Sequence, residues 1–363
     1  MDDASTKLRR KRRRRSRQRA SYNMRPVVAV FLAVAFVAAA VVFWNVGDKS
    51  GEVLSKPTSV SLRLSGPLSP KYAGEIVAAR ANMFERNGID IDLRESAEGA
   101  DPIAAVVSGA ATFGVTDSIS FLTARDKGQP IVAFAAGLIE NSIVFYALEK
   151  SGIRAPQDFV GKRVARRAGT GSAILYDALL KNTGVSRSQV RESATDTDLD
   201  ALLDGKVDVI PGRVGQEGFL LRQKGVPFTV IRVSDYGIHV PDTVYFTTEK
   251  LVADRPSVVQ RVLQAVIAGW TMTYADTAKS TALIVAAGKG LTPPEQVQFD
   301  LAAQRDFVVP LSRRVAEFDD QQWKQLRAIL TTARLMDGSV DLGRAINYDI
   351  LKEAYRKPIS FGN

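Results

Sequence analysis

The sequence predicts an α/β fold of two lobes, preceded by one N-terminal transmembrane helix. Strand and helix patterns alternate in two successive sets between residues 59 and 247, and only helical patterns follow. An uninterrupted apolar run occupies residues 27–44, ahead of both sets. Strand–helix alternation favours parallel sheets, because each helix returns the chain to the edge at which the previous strand began. No period of about 20 to 50 residues recurs, which argues against solenoids and propellers.

The composition excludes several kinds of functional site. The 363 residues include no cysteine and one histidine, which excludes disulfides, iron–sulfur clusters, thiol nucleophiles and the usual zinc sites. The net charge is +10, but residues 1–25 alone hold 11 Lys and Arg against 2 Asp, and the rest of the chain is nearly balanced. The positive charge is therefore confined to a short N-terminal arm, whereas a nucleic-acid-binding domain carries its basic residues on a folded face. We therefore expect no metal site and no nucleic-acid partner.

The N-terminal segment predicts a single-pass anchor in the cell (inner) membrane. The apolar run spans about 27 Å as a helix, enough for a bilayer core. The basic flank precedes it, so residues 1–25 should be cytoplasmic and the later chain periplasmic or extracellular. The run ends in Phe43-Trp44-Asn45 rather than in small residues, which favours an uncleaved anchor over residues 26–46. A cleaved secretory signal is the alternative. Residues 47–58, which are polar and contain Gly, Ser and Pro, are predicted to be a linker.

The first set of elements begins the folded region near residue 59. Alternating apolar residues predict strands, and apolar residues three or four apart predict helices. The predicted strands are Val60–Leu64, Ile89–Leu93, Ala111–Val115 and Ile131–Ala136. The predicted helices are Lys71–Asn87, Pro102–Ser108 and Ser118–Lys127.

The second set begins after Ser142–Leu148 and leads into a helical tail. Its predicted strands are Arg163–Ala165, Val207–Ile210 and Phe228–Val233, and the strand pattern stops after Val244–Thr247. Its predicted helices are Ser172–Asn182, Leu199–Leu203 and Gln216–Gln223. The predicted helices of the tail are Ser257–Ala275, Thr277–Ala287, Glu295–Asp306, Asp319–Ala333 and Arg344–Arg356. We expect this tail to pack across one lobe.

Five segments in this order resemble one protein family. They are Ala104–Val115 (AAVVSGAATFGV), Leu122–Ala136, Gly152–Val164, Leu202–Ile210 and Tyr236–Lys250 (YGIHVPDTVYFTTEK). Together they look like the solute-binding proteins of ABC importers of the nitrate, sulfonate, taurine and thiamine-pyrimidine type.

The resemblance implies a periplasmic-binding-protein type II fold, with an interlobe cleft and two crossovers near residues 142–148 and 235–245. The solute-binding domain would then cover residues 59–363. Its first lobe would hold about 59–145 and 236–363, and its second about 146–235. Permease and ATPase subunits are the implied partners.

The same family includes a pyrimidine synthase that uses its own histidine, a lysine-bound pyridoxal phosphate and a cysteine-rich iron motif. At the positions that match this lysine and histidine the chain has Thr116 and Ser120, and it has no cysteine. The sequence therefore predicts that the protein is not an enzyme and needs no cofactor.

Candidate ligand-binding residues follow the predicted strands, where loops face an interlobe cleft. After the first strand come Ser65, Gly66 and Pro67, with Tyr72 as a ring that can stack on a planar solute. The alternative is a surface turn. After the third strand come Thr116, Asp117 and Ser118, where Asp117 is either a helix N-cap or a cleft carboxylate that favours a heterocycle.

Two further loops belong to the second lobe. Gly169, Thr170, Gly171 and Ser172 precede a helix and form a candidate nest for an anion or a carbonyl group, or else a structural turn. Arg213 can present its guanidinium to the solute, or pair with Glu217 four residues later. By family position, Tyr236 and His239 in the returning crossover are also candidates.

These observations predict a noncatalytic, membrane-anchored, periplasmic or extracellular receptor that closes around one small organic solute for an ABC importer. Tyr72 and Asp117 favour a thiamine-precursor pyrimidine or a similar heterocycle. A sulfonate, taurine or nitrate anion is the alternative solute. A sensory domain that signals to another chain and a pyrimidine synthase are the alternative functions.

Overall fold

Two five-stranded sheets form the centre of the protein, and each is built largely from its own stretch of chain. The computed structural model describes residues 57–97, 100–194 and 198–356. The predicted basic segment and anchor, and all but the end of the predicted linker, lie outside the described residues. Within the described ranges no helix is long and apolar enough to cross a membrane.

The first sheet has the strand order β2-β1-β3-β10-β4, and the second has the order β7-β6-β8-β5-β9. The strands of the first sheet are β1 Thr58–Arg63, β2 Ile89–Arg94, β3 Phe113–Asp117, β4 Ile131–Leu138 and β10 Thr243–Thr248. The strands of the second are β5 Ile143–Leu148, β6 Arg163–Ala165, β7 Arg191–Ser193, β8 Val209–Arg213 and β9 Phe228–Arg232. The chain crosses between the sheets at residues 139–142 and 233–242. The predicted lobe boundaries near 145 and 236 stay a prediction.

Helices cover the sheets and fill the C-terminal tail. Those before the second crossover are α1 Ala73–Arg80, α2 Met83–Arg86, α3 Pro102–Val107, α4 Ser118–Asp126, α5 Gly171–Thr183, α6 Leu199–Leu203 and α7 Gln216–Gln223. Those after β10 are α8 Glu249–Asp254, α9 Pro256–Ala275, α10 Thr277–Ala287, α11 Pro294–Val308, α12 Asp320–Thr332, α13 Leu342–Ala345 and α14 Tyr348–Arg356.

The sheets are mixed: the pairs β1–β2, β1–β3, β6–β7 and β6–β8 are parallel, as the strand–helix alternation predicts, and other pairs are antiparallel. β10 runs antiparallel to both β3 and β4, and β5 runs antiparallel to both β8 and β9. Both strands follow a crossover between the lobes. The chain therefore enters β5 and β10 at the end of each sheet that faces the other lobe. The strands that follow a helix start from the opposite end of the sheet, so they run in the opposite direction.

Two predicted helices are broken in the structure. The helix predicted over Lys71–Asn87 is a 3-10 turn at Pro70–Tyr72 followed by α1 and α2, which are separated at Asn82 with a left-handed φ of 57°. Asparagine tolerates this conformation better than most residues. The helix predicted over Arg344–Arg356 is divided into α13 and α14, because Ile346 is extended and forms a β-bridge with Ala133.

The core of the first lobe depends on close contact between α1 and α9. Gly74 of α1 faces the indole of Trp270, and Gly269 of α9 faces the backbone oxygen of Gly74. Trp270 is fully buried, and its Nε1 donates a hydrogen bond to the hydroxyl of Tyr245 in β10 at 3.0 Å. Helix α9 is thereby fixed to both α1 and the sheet.

Candidate functional site

A cleft of about 1280 Å³ lies between the two lobes, where loops at the strand ends lead into helices. Its walls take residues from both sheets and from α3, α4, α5 and α7. The predicted site residues that line it are Ser65, Thr116, Asp117, Ser118, Gly169, Thr170, Gly171, Ser172, Arg213 and Glu217. The structure thus brings the predicted loops of both lobes to one cavity, and their role in binding stays a prediction.

The other predicted site residues, Gly66, Pro67, Tyr72, Tyr236 and His239, do not line this cleft. Tyr72 is only 2% exposed, and its hydroxyl shares a hydrogen bond of 2.8 Å with Ser65 Oγ. Its ring is therefore packed in the core and does not offer a face for stacking on a solute in the cleft.

Tyr236 and His239, which lie in the second crossover, contact residues outside the cleft. His239 Nδ1 lies 3.2 Å from a carboxylate oxygen of Glu140, and its backbone N–H donates to Gln325 of α12. The backbone oxygen of Tyr236 accepts a hydrogen bond from Asn182 at 3.2 Å. These contacts direct both residues to neighbouring surface elements rather than to the cleft.

Two helix N-termini face the cleft with different charge. Asp117 caps α4, because its Oδ1 accepts the N–H of Ser120 at 2.8 Å, and the same residue also lines the cleft. Thr170 caps α5 with a neutral hydroxyl that accepts the N–H of Ala173 at 3.3 Å. The positive end of the α5 dipole is therefore not offset by a capping carboxylate. Gly169 has a φ of 80°, which favours glycine at this turn.

Arg213 is held by an ion pair at the hinge, which is formed by the two crossovers at residues 139–142 and 233–242. One guanidinium nitrogen, Nη1, donates to Asp242 at 2.9 Å and to Ser142 Oγ at 3.0 Å. Asp242 is 1% exposed and also accepts the backbone N–H of Ser142 at 3.2 Å. Burial opposes ionisation of Asp242, but Arg213 and Lys71 outweigh it and hold the pKa of the carboxyl below its usual value. Ser142 and Asp242 lie on the two crossovers, so Arg213 is attached to both.

Glu217 does not pair with the guanidinium of Arg213. Its Oε2 accepts the backbone N–H of Arg213 at 2.9 Å, and burial raises the pKa of Glu217. The i,i+4 ion pair left open by the sequence is thus replaced by a contact between the Glu217 side chain and the backbone of β8. The Arg213 side chain is left to Asp242 and to the cleft.

Sequence reasoning missed several polar residues at the cleft, among them Lys71 and Asp242, which line it, and Ser142, which is hydrogen-bonded to Asp242. Lys71 follows β1, and its Nζ lies 5.4 Å from the ring centroid of Tyr72. Burial, and next the charge of Arg213, lower the pKa of Lys71. Ser142 and Asp242 were missed although the crossovers were predicted, because their pairing joins positions 100 residues apart. The one available signal for Lys71 was a basic residue in the connection between the first strand and the helix that follows it.

The apolar part of the cleft is aliphatic. Its larger apolar side chains include Ile103, Val107, Ile119, Ile143 and Ile174. Among the described residues, no Phe, Tyr or Trp belongs to the lining. The described residues also include no cluster of three or more potential His, Cys, Asp or Glu metal ligands. The cleft thus combines charged groups near the hinge with aliphatic walls.

The chain matches a known protein family over most of the region that forms the cleft. The family described as NMT1/THI5 like matches residues 69–280, which is more than half of the chain and includes most of the cleft. The chain belongs to the NMT1/THI5-like family. This confirms the resemblance found in the sequence.

Relatives and solved structures agree with the fold. The 4-amino-5-hydroxymethyl-2-methylpyrimidine phosphate synthase of Legionella pneumophila is 23% identical over 295 residues, 80% of this chain and 91% of the relative. The formylaminopyrimidine-binding protein of Halalkalibacterium halodurans is 22% identical over 264 residues, 71% and 78% of the two chains. The periplasmic aliphatic sulphonate binding protein SsuA of Escherichia coli superposes with a TM-score of 0.65 at 17% identity, covering 85% of this chain and 95% of SsuA. The protein has the two-lobed α/β fold of periplasmic binding proteins.

The prediction that this NMT1/THI5-like protein is not an enzyme is wrong. A synthase of the same name from Schizosaccharomyces pombe is 27% identical over 150 residues, 41% of this chain and 42% of that protein. Two curated relatives therefore carry the name of an enzyme. The exclusion depended on two aligned positions, Thr116 and Ser120, and on the absence of cysteine.

Proposed function

We propose that this protein is the solute-binding component of an ABC importer, and that it captures a small organic solute carrying an anionic group. The proposal is carried by Lys71 and Arg213, two cationic side chains that line one interlobe cleft from opposite lobes. The N-terminus of α5 adds a positive dipole end to the same cleft. The aliphatic walls suit the organic part of such a solute. Permease and ATPase subunits are the partners that this function requires.

A pyrimidine related to thiamine precursors is the second candidate solute. The Asp117 carboxylate lines the cleft and can accept a hydrogen bond from an amino group or a ring N–H. Three relatives are also named for pyrimidines. The absence of an aromatic ring from the described lining makes this candidate weaker than the anionic solute, because stacking would not contribute.

A thermal-shift screen of the purified protein tests the solute class. Ethanesulfonate, taurine, nitrate, aminopyrimidines and thiamine would each be added in excess, and a solute at about 100 times its Kd should stabilise the protein by about 2.7 kcal/mol. We expect a shift with an organic anion, loss of that shift in Arg213→Gln, and no loss in Arg191→Gln, an exposed arginine on the second lobe. A shift with pyrimidines alone would replace the solute class. Unchanged uptake of the identified solute in a deletion strain would contradict the importer role.

We also propose that residues 26–46 hold the protein at the cell membrane, with residues 1–25 in the cytoplasm. The support is the apolar run at 27–44 and its basic flank. After cell fractionation we expect the full-length chain in the membrane fraction, and a chain without residues 1–46 that is given a cleavable signal peptide in the soluble periplasmic fraction. Recovery of the full-length chain in the soluble fraction would contradict the anchor.

A further inference from the structure

Helix α4 runs along one wall of the cleft. One face of this helix lines the cleft, because its contributing residues recur three or four positions apart. These residues are Ile119, Ser120, Thr123, Ala124 and, directly after the last turn, Lys127. The cleft therefore extends along the whole length of α4 and not only beside its N-terminus.

The N-terminal end of α4 lies beside the ion pair of Arg213. The backbone N–H of Ser118 donates to the backbone oxygen of Asp242 at 2.9 Å, and the Asp242 carboxylate binds Arg213 at 2.9 Å. Lys127 directly follows the other end of α4, so a helical rise of about 1.5 Å per residue separates it from Ser118 by about 13 Å. The cleft thus has a cation near each end of α4, Arg213 at the hinge and Lys127 at the outer end.

Lys127 has no close counter-ion. It is exposed, and it forms no ion pair with any described residue, whereas Arg125 on the same helix binds Glu249 at 2.8 Å. Asp101, a carboxylate that also lines the cleft, accepts the backbone N–H of Ile103 at 2.8 Å as the N-cap of α3. A solute anion at the outer end of α4 would therefore meet an unpaired cation.

The wall between the two ends of α4 is uncharged and largely aliphatic. The hydroxyl of Thr123 donates to the backbone oxygen of Ile119 at 2.7 Å, and Ile119 and Ala124 add aliphatic surface. Val107 of α3 and Leu335, in the loop after α12, line the same cleft although they are 38% and 42% exposed. An alkyl chain along this wall would remove exposed apolar surface from water.

We propose that the solute is an elongated aliphatic dianion, an α,ω-diacid whose first anionic group binds Arg213 at the hinge and whose second binds Lys127 at the outer end of α4. This inference rests on the proposed function, and it adds the length of the solute and the number of its charges. Carbon–carbon bonds of about 1.5 Å extend a straight alkyl chain by about 1.25 Å each. A separation of about 13 Å therefore corresponds to a diacid of about ten to twelve carbon atoms. Lys127 is thereby assigned as a residue that determines specificity.

Decanedioate and ω-hydroxydecanoate test the second charge, because they have the same number of carbon atoms and differ in charge at one end. In calorimetric titrations at low salt we expect the full-length protein to bind decanedioate about fivefold more tightly. Lys127→Gln should remove this preference and leave the affinity for ω-hydroxydecanoate unchanged. Lys279→Gln is the matched control, since Lys279 is an exposed lysine of α10 that does not line the cleft. Equal affinities for the two acids in the wild type, or an equal effect of Lys279→Gln, would overturn the inference.

Charge reversal at position 127 tests the assignment of the residue. Lys127→Glu should bind ω-aminodecanoate, whose outer end is a cation, more tightly than decanedioate, which reverses the wild-type order. A lysine with a merely structural role would not exchange this preference. Arg167, an exposed arginine of the second lobe, also lines the cleft and is the competing residue. If Arg167→Gln removes the preference for decanedioate and Lys127→Gln does not, the assignment to Lys127 is overturned.

A shorter diacid separates this inference from the proposed function. Hexanedioate should bind more weakly than decanedioate and should be insensitive to Lys127→Gln, because its second carboxylate cannot reach the outer end of α4. If the wild type binds ethanesulfonate or hexanedioate but binds decanedioate no more tightly, anion binding at the hinge stands and the elongated solute is overturned. If neither these anions nor any other organic anion of the screen binds, the proposed solute class is wrong and this inference fails with it.

Discussion

The Gly269→Ala variant should lose about 3 kcal/mol or more of its free energy of unfolding, although it adds only one methyl group. A Cβ at position 269 would lie 2.0 Å from the backbone oxygen of Gly74 and 2.8 Å from the Cβ of Ala78. A backbone atom cannot move aside without separating α1 from α9. That separation would also disturb Trp270, which packs over Gly74 and is hydrogen-bonded to Tyr245.

Gly218→Ala in α7 is the matched control for this prediction. A Cβ at position 218 would meet only side-chain atoms, at 3.3 to 3.5 Å, and alanine also gains about 1 kcal/mol of helix propensity over glycine. We expect its free energy of unfolding to stay within about 1 kcal/mol of the wild type. Urea unfolding followed by circular dichroism measures both variants. A Gly269→Ala protein as stable as the control would show that α1 and α9 are not in contact at these glycines.

Asp242→Ala should lower the free energy of unfolding by about 2 kcal/mol and weaken the binding of organic anions. The substitution leaves the backbone N–H of Ser142 and the guanidinium of Arg213 without the carboxylate that they share. Breaking a fully buried ion pair costs about 3 to 5 kcal/mol. The expected loss is smaller, because water reaches the 41% exposed side chain of Arg213. Arg213 would then no longer be held at the hinge, so the affinity for ethanesulfonate should fall at least about tenfold.

An exposed ion pair between the lobes provides the comparison. Arg232 Nη1 lies 3.4 Å from Asp306, and their side chains are 37% and 71% exposed. Asp306→Ala should therefore change the free energy of unfolding by less than about 1 kcal/mol and leave anion binding unchanged. Urea unfolding and calorimetric titration measure the two properties. Equal effects of the two substitutions would show that burial at the hinge gives Asp242 no special role.

The order of strands and helices could be predicted from the sequence, because the spacing of apolar residues indicates which face of each strand or helix is buried. The direction of β5 and β10 was not readable, since it depends on the crossovers rather than on local spacing. The break at Ile346 also escaped prediction, because it arises from a bridge to Ala133, far away in the chain.

The site shows the same division between local and tertiary information. Turns from strand to helix, such as Thr116–Ser118 and Gly169–Ser172, follow from short-range pattern and do reach the cleft. The packing of Tyr72 in the core and the pairing of Arg213 with Asp242 depend on tertiary contacts, and sequence reasoning misplaced the first and missed the second. The exclusion of an enzyme failed for a different reason. The absence of two motif residues says nothing about what other residues of the cleft can do.

The crossovers also determine how the protein carries a mechanical load. The described chain enters at β1 and ends at α14, which packs against β4 and α9, so both ends belong to the first sheet and its helices. The second sheet is an insertion whose strands lie between residues 143 and 232, and the backbone passes between the two sheets at the two crossovers. A tension applied between residues 58 and 356 therefore loads the first lobe before the second. A pull transmitted through the N-terminus would therefore act first on the lobe that contains β1 and not on the second lobe.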